Sequence, residues 1–211
     1  SRSRSAVAPA AAAPAGHGDA EGAGEVDDWE WRGERRSGRP YSRWQSLPPL
    51  AAPAGVTALA GQVLRLNGEP LADVTLQMER GSGGGLVSAR TNDTGRFLLA
   101  DIKAGPQELL IDGRSASGPG RSYGVFEVGV RITAGQTTGL GYTIWMPRID
   151  TAHAVTIPTY EPTELVITTP RIQGLELRLP AHSGIRDHEG TPATQISITP
   201  IPQDRPPFPL P

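Results

Sequence analysis

The chain has 211 residues, no cysteine, a formal net charge of −2 and only 5% aromatic residues, with 26 glycines and 21 prolines. The absence of cysteine excludes disulfides, thiolate metal sites and cysteine nucleophiles, and the small net charge gives no global attraction to nucleic acid or anionic membrane. No stretch approaches the roughly 20 apolar residues of a membrane-spanning helix, and the Gly/Pro content predicts that part of the chain is low-complexity or linker.

Residues 1–28 are Ala, Gly, Pro and Ser with two arginines against Asp19, Glu21, Glu25, Asp27 and Asp28. Nothing there buries enough apolar area to offset the entropy of ordering, so a disordered N-terminal tail is predicted. The early arginines and alanine run faintly resemble a signal peptide, but Pro9 and Pro14 interrupt it, and the missing initiator Met predicts a fragment of a longer chain. The other end, RPPFPLP at 205–211, offers neither a closing strand nor a polar tail, and predicts continuation beyond it.

Residues 29–44, WEWRGERRSGRPYSRW, hold three of the four tryptophans and five arginines against Glu30 and Glu34. They show no helical or strand period. Trp29, Trp31, Arg32, Arg35, Arg36, Tyr41, Arg43 and Trp44 are the candidate interaction anchors, because Trp, Tyr and Arg dominate binding hot spots. The favoured reading is docking in cis, onto the chain's own β-structure or a larger body it joins. The competing reading is a site for a protein partner. Arginine stacked on aromatic rings also suits sugars or single-stranded nucleic acid, but nucleic acid is not expected here. Residues 45–56 read as a proline-stiffened linker.

From Thr57 the period-2 signal of strands begins. Leu64 and Leu66 lead into Asn67-Gly68, a hairpin signal. Val74, Leu76 and Met78 alternate with Asp73, Thr75, Gln77 and Glu79, as in a half-solvated antiparallel strand. Residues 81–85 (GSGGG) are a loop, 86–91 a third strand, and Asn92-Asp93-Thr94-Gly95 a turn whose Asn and Asp bond their own backbone. Strands at 96–101 and 107–112 flank a turn at 104–106. After a Gly/Ser loop at 113–122, Phe126, Val128, Val130 and Ile132 share one face of a sixth strand. Leu140, Tyr142, Ile144 and Met146 share one face of a seventh, with Thr143 and Trp145 opposite. Seven strands over 57–147 make one sandwich with a single core. Three more short strands, 164–168, 175–179 and 195–199, with a turn at Asp187–Gly190, form a β extension over 148–211.

GQVLRLNGEPLADVTLQM followed by TNDTGRFLLADIKAGPQELLI resembles the carboxypeptidase regulatory-like domain, through Gly61, Val63, Gly68, Pro70, Leu71, Val74, Gly95, Phe97, Leu99, Ile102 and Gly105. Asn92-Asp93 departs from that family's Thr-Asp placement. The resemblance implies an all-β, transthyretin-like (prealbumin-like) seven-strand sandwich without catalytic residues of its own. The stretch from Gly174 to Pro211 is similar to sequence beside such domains in bacterial YD-repeat (Rhs-type) proteins, ahead of the repeat shell, and more faintly to a ZU5-like pattern. This implies a secreted or cell-surface protein in which the chain is a spacer, cap or plug of the shell. Alternatives are a module binding a carbohydrate or a surface protein, and the regulatory part of a peptidase whose catalytic domain lies elsewhere.

No catalytic constellation emerges. His17, His153, His182 and His188 lack zinc-motif spacing, and DHEG at 187–190 is a turn before it is a metal site. Asn92–Gly95 contains a glycosylation sequon and acidic oxygens, but turn chemistry explains every residue. The GSGGG loop opens no helix and carries no Lys-Ser/Thr pair, so it is not a phosphate cradle. No serine stands in a G-x-S-x-G elbow. Neither an enzyme nor a cofactor is expected. Tyr123, Trp145 and Tyr160, read as exposed, are a weak candidate for a glycan platform.

Overall fold

The computed structural model describes residues 28–158, 163–187 and 190–209. The predicted tail up to Asp27, together with Tyr160, His188 and Glu189, lies outside them. The chain is all-β, and among the described residues there is no α-helix.

Two antiparallel strands of three residues each come first. β1 (Glu34–Arg36) and β2 (Arg39–Tyr41) pair around Ser37-Gly38, both at positive φ. That is the twist a two-residue hairpin needs. The segment read as aperiodic is thus a hairpin, and RRSGRPY carries its turn signal. A 3-10 turn at Arg43–Ser46 follows, with Ser42 and Gln45 forming a capping box.

β3 (Ala58–Arg65), β4 (Thr75–Glu79), β5 (Leu86–Arg90), β6 (Arg96–Ala100), β7 (Gly105–Asp112), β8 (Val125–Ile132), β9 (Thr137–Gly139) and β10 (Ile144–Met146) make two sheets. In the first, β3 is central: β6 runs antiparallel on one side, and β9 and β10 run parallel to it on the other. The second has the order β5-β4-β7-β8, antiparallel throughout. Leu59, Val63, Leu76, Met78, Phe97, Leu99, Leu109, Ile111, Ile144 and Met146 fill the space between them. This is the β-sandwich that alternating apolar residues specify.

Two local expectations change. Asn67-Gly68 does form a tight turn, with Gly68 at φ +94 and its N–H donating to the Arg65 carbonyl. The Arg65 N–H donates to the Glu69 carbonyl and the Leu71 N–H to the Val63 carbonyl, on either side of the Leu64–Pro70 bridge, which makes a short hairpin; β4 then crosses to the other sheet and does not pair with β3. Of the strand expected over 140–146 only Ile144–Met146 forms, as β10; β9 precedes it over Thr137–Gly139, residues 140–143 between them are not strand, and each short strand pairs with a different half of β3.

The turn at 92–95 is tightly built. Asn92 Oδ1 accepts from the N–H groups of Thr94 and Arg96 and from the Thr94 hydroxyl. Gly95 sits at φ +71, and a Cβ there falls 2.2 Å from the Val63 carbonyl oxygen, so only glycine fits.

Beyond the sandwich, β11 (Val155–Thr156) pairs with β14 (Gln195–Ile196), and β12 (Leu165–Thr168) with β13 (Glu176–Leu179). The Gly190 N–H donates to the Asp187 carbonyl; the two residues between them, at the centre of the turn read from the sequence, lie outside the described residues.

Candidate functional site

The outer face of the first sheet carries Leu64, Leu66 and Trp145, and Trp29, Trp31 and Trp44 pack on them. Trp145 is on this face because β10 alternates: Ile144 and Met146 point into the sandwich, so the residue between them points out. Trp31 meets it edge-to-face, centroids 5.5 Å apart at 78°, a favoured aromatic geometry. Trp145 is only 5% exposed and Tyr123 3%. Neither can serve the glycan platform read from the sequence, because the N-terminal segment covers one and the sandwich core takes up the other.

Polar contacts fix this segment in place. The Ser42 hydroxyl donates to the Gly68 carbonyl at 2.6 Å, and Trp44 Nε1 donates to Glu69 at 3.3 Å. Gln62 donates to the Trp44 carbonyl and Gln45 to Thr143 Oγ1. Asp28, assigned by sequence to the tail, is buried; it accepts from Asn67 at 3.4 Å and faces Arg65 at 3.8 Å. Among the described residues Asp28 Oδ2, Trp31 Nε1 and Arg65 Nε have no hydrogen-bond partner, which leaves an incompletely satisfied polar seam under the rings. Burial, aided by the charge of Asp28, pushes the Tyr123 hydroxyl above its ordinary pKa.

The C-terminal extension closes over the same rings. The Arg171 guanidinium lies 4.7 Å from the Trp29 ring, and Arg205 lies 5.5 Å from Trp31. Arg205 also donates to the Leu66 carbonyl. Arg171 is held by Asp150, whose carboxylate is 2% exposed and also pairs with His153 Nδ1 at 2.8 Å. Burial raises the Asp150 pKa, but the hydrogen bonds from His153 and Arg171 and their charges outweigh it, so it lies below the ordinary carboxylate value. Asp204 is lowered in the same way, against burial, by Arg35 and Arg205. The Arg35–Asp204 contact, at 2.8 Å, ties the β1–β2 hairpin to the far end of the described chain.

The sequence-derived anchors therefore divide. Trp29, Trp31 and Trp44 are half-buried against the chain's own sheet. Arg35 is paired with Asp204. Arg32, Arg36 and Arg43 are exposed beside Tyr41 in a recess of about 380 Å³, with Arg36 stacked on Tyr41 at 3.5 Å and Arg43 on Trp44 at 4.9 Å. Sequence reasoning missed Asp150, Arg171 and Arg205. Each is far from the tryptophans in sequence, and no local pattern links them. A larger cleft of about 800 Å³ lies between the hairpin, the outer face of β3 and residues 203–209, with Arg39, Gln62, Arg96, Tyr142 and Phe208 among its walls.

The arrangement is a packed aromatic–cation seam. Among the described residues no group of three or more His, Asp or Glu is placed to hold a metal ion, and no helix is long and apolar enough to cross a membrane. No protein-family model and no curated protein matches the chain.

Proposed function

We propose that the chain is a non-catalytic accessory module of a large secreted or surface protein: a transthyretin-like, carboxypeptidase regulatory-like sandwich, β9 and β10 counting as one broken strand, that acts as spacer, cap or plug beside a YD-repeat shell. The observation that carries this reading is the seam itself. Trp29 and Trp31, from before the sandwich, are covered by Arg171 and Arg205, from after it. Both flanks are spent on holding one rigid body together, as suits a structural insert and not a free ligand-binding tail. Two of the aromatics that a glycan reader would expose, Tyr123 and Trp145, are buried.

Limited proteolysis with fragment masses tests the structural part. Protection from about residue 28 through 209 is expected; rapid trimming to a core of 57–147 overturns it. The sequence of the whole gene product tests the context: YD repeats in the same polypeptide support the reading, and a metallopeptidase domain in their place replaces it with the regulatory part of a peptidase. The stacked, exposed Arg36 and Arg43 beside Tyr41 favour a second reading for that surface alone, a contact with a protein partner.

A further inference from the structure

The β1–β2 hairpin puts Glu34, Arg36, Arg39 and Tyr41 on one face and Arg35 and Pro40 on the other. Arg35 is neutralised by Asp204. The first face is not neutralised. Arg36 stands directly opposite Arg39, and Glu34 opposite Tyr41. Like charges facing each other across a strand pair are destabilising, and the tight turn at Ser37-Gly38 fixes this pair at the tip of the hairpin. Among the described residues Arg36, Arg39 and the nearby Arg43 make no ion pair, and Glu34 pairs with none of them.

Two of these cations are held in place. The Arg36 guanidinium lies 3.5 Å from the centre of the Tyr41 ring, and that of Arg43 lies 4.9 Å from Trp44. A guanidinium held over a ring keeps its N–H edge free, and that edge matches a carboxylate in bidentate geometry. The stack already restricts the side chain, so less rotamer freedom is lost when an acid binds. Both line the recess of about 380 Å³ whose other walls include Asn67, Gly68 and Glu69. Glu69 accepts there from Trp44 Nε1, and with Glu34 it makes the wall mixed in charge. A nucleic-acid strand carries a charge at every unit and runs against those two carboxylates. It also finds no bare ring to stack on, because the arginines lie over Tyr41 and Trp44 and Trp44 packs on the sheet. Separate carboxylates on a flexible peptide meet neither obstacle.

We propose that the hairpin tip and its recess are a docking site for an acidic segment of a partner protein, one with several Asp or Glu side chains close together. One carboxylate enters the recess at Arg36 and Arg43. Another settles beside Arg39 and removes the like-charge repulsion across the turn. The unpaired charge of the free hairpin is then the complement of its partner, and the cost of carrying it is recovered on binding. This rests on the reading of the surface as a protein contact and gives that contact its chemistry; it does not depend on the YD-repeat context.

The test is isothermal titration calorimetry of the full 211-residue chain with acetyl-hexaglutamate amide at low ionic strength, with circular dichroism and thermal melting to verify folding of each variant. The wild type is expected to bind, more weakly as salt is added. Arg36→Gln/Arg43→Gln removes two exposed charge pairs and should raise the dissociation constant roughly 5- to 30-fold. Arg39→Gln should weaken binding while the melting temperature of the free chain stays equal to or above that of the wild type, opposite effects that the loss of a purely structural arginine does not produce. Arg131→Gln, the same charge change at an exposed position of β8, should leave binding unaltered. Acetyl-hexaglutamine amide bound as tightly as hexaglutamate overturns the acidic chemistry and keeps a peptide contact; binding of neither overturns both. A thymidine hexanucleotide that binds more tightly than hexaglutamate also overturns the proposal, as does an Arg131→Gln effect as large as that of the double variant.

Discussion

Replacing Trp31 by alanine tests whether the seam holds the fold together. The ring packs edge-on against Trp145, lies under the Arg205 guanidinium, and passes so close to the turn that a Cβ on Gly68 comes within 3.0 Å of it. A tryptophan mostly removed from water hides roughly 150–200 Å². At about 25 cal/mol per Å² that corresponds to about 4–5 kcal/mol. A compact unfolded chain already hides part of this area, which brings the figure to about 3 kcal/mol. Trp→Ala changes in packed sites cost about 3–5 kcal/mol, the same range. In a chain of this length the melting temperature should fall by roughly 6–12 °C. Urea unfolding followed by circular dichroism measures the loss without depending on the deleted chromophore. A loss under about 1 kcal/mol, the scale of an ordinary surface change, refutes the seam as a structural element and leaves the tryptophans free for an external partner.

Gly95→Ala forces a Cβ onto the Val63 carbonyl oxygen at a positive φ, so a loss above about 2 kcal/mol is expected in the same urea assay. Ser42→Ala removes both the cap of the 3-10 turn and the donor to the buried Gly68 carbonyl; a cost of about 1–2 kcal/mol is expected, and Ser42→Thr should recover most of it if the hydroxyl is what matters. Asp150 has a folded pKa below its unfolded value. Its contribution is therefore fully present above the unfolded pKa near 3.9 and lost as pH falls through the lower folded value. Asp150→Asn should cost roughly 1–3 kcal/mol at neutral pH, with the gap to wild type narrowing under acid. A gap that stays constant down through that window contradicts the linkage.

The existence of the strands was legible because their cause is local. Val74, Leu76 and Met78 alternate with polar residues and are all buried, and the sandwich follows from several such runs. Their neighbours were not legible: period two says which face is buried but not which strand lies alongside. Asn67-Gly68 has hairpin chemistry and makes its turn, yet β4 joins the other sheet. Ser37-Gly38 was readable as a hairpin and was obscured by the charge around it. The aromatic–arginine segment announced itself by composition, but its seat did not. Trp145 looked outward in the alternation of its strand, and outward from one sheet is inward beneath another layer. Arg171 and Arg205 are ordinary surface residues in sequence; only the fold places them over Trp29 and Trp31.

The tie between Arg35 and Asp204 spans 169 residues, which has a consequence for biosynthesis. At about 5–20 residues per second, the first anchor leaves the ribosome roughly 10–30 s before its last partner. The sandwich strands emerge between them and collapse first, while three tryptophans wait with no roof and an unfinished floor. Contacts of such long sequence separation form slowly. During that interval the nascent chain offers its stickiest surface to whatever is nearby, so the burden on chaperones falls at the start of the chain and not on its sandwich.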